Sequence, residues 1–118
     1  MTPVSDLPRL VRIAGLGQYL PPRIVTNEEL EARFALAPGW ILAHNGVRER
    51  RRADVAAGET ATWMAAAAAR EALDEAGLAP SDLDLIVNAS GTPEQAIPDG
   101  APLVQRHLGL KRSGIPCF

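Results

Sequence analysis

Residues 85–118 read LIVNASGTPEQAIPDGAPLVQRHLGLKRSGIPCF, and this stretch decides the fold. Leu85-Ile86-Val87 is a short apolar run bounded by turn residues, the kind that a parallel sheet buries on both faces. Residues 88–98 are polar and loop-like as far as Asp99, whose carboxylate suits an N-cap. Leu103, Val104 and Leu108 then recur at helical spacing until Gly109. Pro102 falls in the first turn of that helix, where its missing N–H is not needed. A second apolar segment, Ile115-Pro116-Cys117-Phe118, follows. Strand, long loop, helix and strand make a crossover unit, which joins parallel strands and places the chain in the α/β class.

Upstream lies the longest periodic segment, a helix predicted from Thr60 or Thr62 to Ala76. Met64, Ala65, Ala68, Ala69, Ala72, Leu73 and Ala76 share one face; Arg70, Glu71, Asp74 and Glu75 share the other. Gly77 ends it, with Pro80 beyond. A stripe of alanines has no bulk, so this helix must approach its neighbour closely, whether that neighbour is a sheet or another helix. Nearer the start, residues 11–15 (VRIAG) predict a strand, and the glycines and prolines that follow predict a loop. Thr26-Asn27-Glu28-Glu29 matches a capping box, in which Thr26 accepts from the Glu29 amide and Glu29 reaches back. Leu30 and Phe34 sit one turn apart in the short helix so begun. Pro38-Gly39 breaks it, and Trp40-Ile41-Leu42 opens a new segment that closes at Asn45-Gly46.

A chain of 118 residues is one modest domain or part of a larger one. Its 47% apolar and 22% charged residues describe an ordered globular chain. Twelve Lys and Arg stand against 14 Asp and Glu, a net charge of -2, which offers no excess basicity to recruit a nucleic acid. Arg48, Arg50, Arg51 and Arg52 do cluster locally beside Glu49 and Asp54. They read either as a solvated loop or edge strand with self-paired charges, or as a phosphate contact. The single cysteine, Cys117, excludes an intramolecular disulfide and a metal site built on several thiolates, and it fits a reducing cytosol. Residues 1–10 lack a basic n-region and an apolar h-region, and no stretch is long enough to span a membrane. A cytoplasmic protein without metal or cofactor is expected.

In open α/β sheets ligands gather outside the carboxyl ends of the strands, which directs attention to the loop at 88–98. No self-contained catalytic set is visible. Cys117 lies inside a strand pattern and reads as a buried, inert thiol; His107 lies near a helix C-terminus, where the dipole favours a cation. Gly15-Leu16-Gly17 carries two glycines of a dinucleotide fingerprint but is followed by prolines instead of a helix. Trp40, placed after Pro-Gly, can offer a ring on which a purine stacks or can anchor a core; Trp63 reads as core or interface packing.

The blocks Ile13-Ala14-Gly15-Leu16-Gly17-Gln18-Tyr19-Leu20-Pro21, Thr26-Asn27-Glu28-Glu29-Leu30, Trp40-Ile41, Gly46-Val47-Arg48-Glu49-Arg50 and Glu59-Thr60 run in an order that resembles the beta-ketoacyl-acyl-carrier-protein synthase III family. Leu85-Ile86-Val87, Ile97-Pro98 and Leu108-Gly109-Leu110 continue the likeness in register. The resemblance implies the N-terminal part of a thiolase-like, five-layered αβαβα fold. Residues 1–10 would be a lead-in, and residues 11–118 a half-domain segment incomplete at its C-terminus. It implies acyl transfer from acyl-coenzyme A to an enzyme cysteine, then decarboxylative condensation with malonyl-acyl-carrier protein. A homodimer, or a companion chain carrying the rest of the fold, would complete the enzyme.

The family's catalytic cysteine, histidine and asparagine have no counterparts here, Cys117 included, so no catalytic residue is expected in this chain. The binding periphery carries over. Trp40 matches the tryptophan that stacks on the coenzyme A adenine, and Ile97 matches the residue that reaches across the dimer into the partner's acyl pocket. His44 stands where many members place an arginine on a coenzyme A phosphate; an unperturbed imidazole, with pKa about 6.5, is mostly uncharged at neutral pH. That departure leaves acyl-carrier protein or an unusual acyl donor open. The alternatives are a non-catalytic ketosynthase-like subunit or interaction module, and an independent small α/β binding domain.

Overall fold

The computed structural model describes residues 10–111 and 113–118. The lead-in expected at 1–10 therefore lies, save for Leu10, outside the described residues. Strands β1 (Ile24–Thr26) and β2 (Glu49–Arg51) pair antiparallel, with Ile24 opposite Arg51, Val25 opposite Arg50 and Thr26 opposite Glu49. Only the middle pair turns inward, Val25 buried and Arg50 half-buried. The arginine-rich stretch is thus an edge strand. Two of its guanidinium groups serve the chain itself: Arg50 donates to the Val25 carbonyl at 3.4 Å and to Asn27 Oδ1 at 2.9 Å, and Arg51 donates to the Pro21 carbonyl at 3.2 Å.

Helix α1 (Asn27–Phe34) starts directly from β1, with Thr26 as its N-cap accepting from the Glu29 amide at 3.3 Å. The other half of the expected capping box is absent. Glu29 turns to Arg23 instead, 3.3 Å away, because a guanidinium offers the carboxylate a charged partner that one backbone amide does not. Ala35, in the left-handed region at φ 52°, ends α1. Helix α2 (Trp40–Asn45) follows after a short turn, flanked by Gly39 and Gly46.

Helix α3 (Ala61–Ala76) is capped by Thr60, which accepts from the Trp63 amide at 3.3 Å, and is closed by Gly77. Its small-residue surface meets two neighbours. On one side Ala66, fully buried, packs with Ala101 and Val104 of α4 (Gly100–His107), with Leu108 at its C-cap and with Ile86. On the other side residues 15–18 run extended along the helix. A Cβ on Gly15 or Gly17 would collide with the carbonyls of Ala72 and Ala68.

The strand expected at residues 11–15 does not form. A strand needs a ladder partner, and here the Leu16 and Gln18 amides donate to the carboxylates of Glu75 (2.6 Å) and Glu71 (2.7 Å) on α3. Those two acids, assigned to the solvent face by their period, therefore bind the extended segment. Ile86 and Cys117 do pair in parallel, through Ile86 N–H to the Pro116 carbonyl (3.1 Å) and Phe118 N–H to the Ile86 carbonyl (3.0 Å). Asp99 caps α4, accepting from the Ala101 amide at 3.2 Å. The crossover read from the sequence is present, but burial on both faces is not. Ile86 is buried, whereas Leu85 and Val87 are exposed, because α3 and α4 lie over one face and no described element covers the other.

Candidate functional site

Trp40 is the first residue of α2, and its indole is 43% exposed. A spacing of four residues puts His44 on the same helical face one turn on. The two rings stack with centroids 3.9 Å apart and planes inclined by 19°. His44 Nδ1 lies 2.8 Å from the Trp40 carbonyl oxygen; a carbonyl can only accept, so Nδ1 carries the proton and Nε2 is free of that bond. One face of the indole is thus covered by the imidazole, and a flat ligand can stack only on the other unless it displaces His44.

The scaffold under α2 is polar. Glu31 of α1, buried, accepts from the Gly39 amide at 3.0 Å and the Ile41 amide at 2.9 Å, the residues on either side of Trp40. Asn27, also buried, donates to the Val47 carbonyl at 2.7 Å just past the end of α2 and accepts from Arg50. The sequence singles out neither Glu31 nor, beyond its place in the capping box, Asn27. No local pattern singles out Glu31 among the acids of α1; the available signal was Gly39, an N-cap with no side chain, whose helix needs an acceptor from elsewhere.

Ile97 sits in the long loop before α4 and is 88% exposed. The structure does not place it on the α2 element that carries Trp40 and His44. Two contacts hold its loop. Gln95 donates its side-chain amide to the Ile97 carbonyl at 3.1 Å, and Glu94 accepts from both the amide and the hydroxyl of Thr62 at 2.6 Å, in the first turn of α3. Desolvation is the largest single influence on the Glu94 carboxyl and raises it, but the hydrogen bonds from the Thr62 hydroxyl and amide and from Thr60, with the charge of His107, together outweigh it and leave the group below its ordinary value. Glu94 was likewise not singled out from the sequence.

Cys117 is half-buried against the Ile86 cluster, its thiol 3.5 Å from the Ile115 carbonyl, which is a packing environment without a base. Trp63 packs edge-on to Tyr19, centroids 5.0 Å apart. The Tyr19 hydroxyl donates to Glu59 at 2.6 Å, and this bond to a carboxylate raises the phenol above its ordinary pKa. Among the described residues no three or more His, Cys, Asp or Glu gather as metal ligands, and no helix is long and apolar enough to cross a membrane.

Two helices packed together over a parallel strand pair, with a stacked Trp–His pair on a separate short helix, form part of a thiolase-like α/β fold. Comparison with known proteins narrows the class. The curated beta-ketoacyl-[acyl-carrier-protein] synthase III of Methylococcus capsulatus is 45% identical over 103 residues, covering 87% of this chain and 32% of that protein. The crystal structure of 3-oxoacyl-[acyl-carrier-protein] synthase III from Aquifex aeolicus superposes with a TM-score of 0.80 at 44% identity, over 90% of this chain and 33% of that one. AbyA1, a tetronic acid condensing enzyme, reaches a TM-score of 0.74 at 32% identity, over 89% and 33%. No family model matches. Over the compared residues the chain is homologous to the beta-ketoacyl-[acyl-carrier-protein] synthase III family, and it spans about a third of the length of the curated relatives it matches.

Proposed function

We propose that this chain is the donor-binding part of a cytoplasmic ketoacyl synthase III. In that reading a cysteine thiolate attacks the thioester carbonyl of an acyl-coenzyme A, and coenzyme A leaves as its thiol. The malonyl unit on acyl-carrier protein then loses carbon dioxide, and the resulting carbanion attacks the acyl-enzyme carbonyl and releases the thiolate. The cysteine, and the histidine and asparagine that stabilise the enolate, lie outside these residues. Cys117 is not among them. Residues 11–118 act as one segment of the larger fold, in a homodimer or with a companion chain. The uncovered face at Leu85 and Val87, and an apolar groove of about 330 Å³ lined by Ile13, Ala69, Ala76 and Leu78, support such a setting.

The stacked Trp40–His44 pair carries the reading. Its open indole face fits an adenine, His44 borders the phosphates, and Ile97 extends from an exposed loop toward the acyl chain held by the partner subunit. Stacking a base on an aromatic side chain is worth about 1–3 kcal/mol. Trp40→Ala in the active enzyme should therefore raise KM for acyl-coenzyme A about tenfold, at 1.4 kcal/mol per decade, with little change in kcat. An unchanged KM removes the role. Absence of any condensation by the enzyme that contains this chain would favour a non-catalytic ketosynthase-like subunit.

A further inference from the structure

Helix α2 has six residues and a glycine, Gly39, as its N-cap, so its first amides receive no capping side chain from their own segment. Glu31 supplies what is missing. Its Oε2 accepts from Gly39 and its Oε1 from Ile41, while the amide between them, that of Trp40, donates to the Ala37 carbonyl at 3.0 Å. Three successive amides are thereby pinned. The Trp40 carbonyl is engaged by His44, whose ring also lies against the indole, so the backbone and one face of Trp40 are both constrained. Glu31 is only 5% exposed, and the one ion pair among the described residues, Arg23 with Glu29, does not involve it. A carboxylate without a cationic partner is costly to bury, and both oxygens of this one are spent beside a single side chain.

We propose that Glu31 is a positioning residue for Trp40, fixing the angle at which the indole is offered to the adenine of the acyl donor. The proposal rests on the reading that Trp40 stacks on that adenine. Glu31→Gln keeps the shape but replaces one acceptor with an NH₂ group facing an N–H donor, so one of the two bonds is lost and the pair is pushed apart. Glu31 never touches the acyl group, so its effect must pass through the nucleotide end of the donor.

The test compares two donors in the active enzyme that contains this chain: the acyl-coenzyme A, and the same acyl group on pantetheine, which has no adenine. Glu31→Gln should raise KM for acyl-coenzyme A by about fivefold to tenfold, leave kcat unchanged and leave KM for the acyl-pantetheine unmoved. The increment should vanish when Glu31→Gln is made on top of Trp40→Ala. Equal effects on both donors, or none, overturn the proposal. Should Glu31→Gln fail to fold, Glu31→Asp, which keeps the charge and withdraws it by one methylene, takes the same measurement. Failure of both to fold marks a structural carboxylate and also overturns it. Trp40→Ala, measured alongside, separates the two ideas. If it leaves both KM values unchanged, the adenine reading falls and takes this one with it; if it acts selectively and the Glu31 variants do not, only the positioning role falls.

Discussion

Gly17→Ala tests the closest backbone approach in the fold. A Cβ at this position would stand against the Ala68 carbonyl and 2.6 Å from the Ala72 amide nitrogen. Neither group is the far end of a flexible side chain. Both belong to the backbone of α3, held by its hydrogen-bond ladder, so residues 16–18 must swing outward to make room. That motion stretches the bonds from Leu16 to Glu75 and from Gln18 to Glu71, now 2.6 and 2.7 Å. Overpacking of this kind costs about 1–3 kcal/mol, and the two exposed carboxylate bonds add roughly 0.5 kcal/mol each at most. A loss of about 1–4 kcal/mol should appear as a lower urea midpoint in unfolding followed by circular dichroism, with the m-value unchanged. Gly91→Ala is the control. Nothing lies within 4 Å of its added Cβ and its φ is not in the left-handed region, so it should be neutral or stabilising by about 0.4–1 kcal/mol through the unfolded chain. A Gly17→Ala variant that unfolds with the parent would refute the close approach of this segment to α3.

Ile97→Phe should shift the acyl preference toward shorter donors, since a larger side chain reduces the space left for the chain; an unaltered chain-length profile takes Ile97 out of the pocket. Glu94 is held below its ordinary pKa, so its ionised form contributes stability that is complete above the unfolded-state value of about 4.3 and is lost as pH falls through the lower folded-state value. Acidification below about pH 4 should therefore speed amide exchange in residues 88–99, after correction for the intrinsic pH dependence, and Glu94→Gln should flatten that response. A parent loop with no acid response sinks this account. Thr60→Ala removes the acceptor for the Trp63 amide and should lower stability by about 1 kcal/mol, read as a fall in the urea midpoint; no change there would mean that solvent caps α3 equally well.

The elements legible in the sequence are those whose signals are local. Thr60 and Gly77 bracket α3 because a hydroxyl acceptor and a left-handed glycine are needed where a helix begins and ends, and Asp99 marks α4 for the first of these reasons. The alanine stripe correctly announced a close neighbour. It could not say that two neighbours share it, or that Glu71 and Glu75 would turn to an extended segment in place of solvent. The strand expected at 11–15 shows the limit: an apolar run proposes a strand, but a ladder requires a partner, and pairing is non-local. At the site, Trp40 and His44 stand four residues apart, which any helix converts into a shared face. Glu31 is eight residues before Gly39, and nothing along the chain distinguishes it from Glu28 or Glu29 until the turn folds it under α2.

The polar and apolar contacts divide the work between them. The buried cluster of Ala66, Ile86, Ala101, Val104 and Leu108 joins α3 and α4 to the parallel strand pair, and it includes none of Trp40, His44 or Ile97. Those side chains stand on elements held by hydrogen bonds: α2 by Glu31 and Asn27, and the 88–99 loop by Glu94 and Gln95. Apolar packing is non-directional and tolerates small shifts of its members, whereas a carboxylate that accepts two defined N–H groups fixes an angle. An exposed ring or loop side chain that must meet a ligand at a set orientation cannot draw that orientation from a core it does not touch. Trimming the core, as in Val104→Ala, should thus lower stability and leave KM for the acyl donor in place. Loss of the Glu31 tether should raise that KM, whatever it costs in stability.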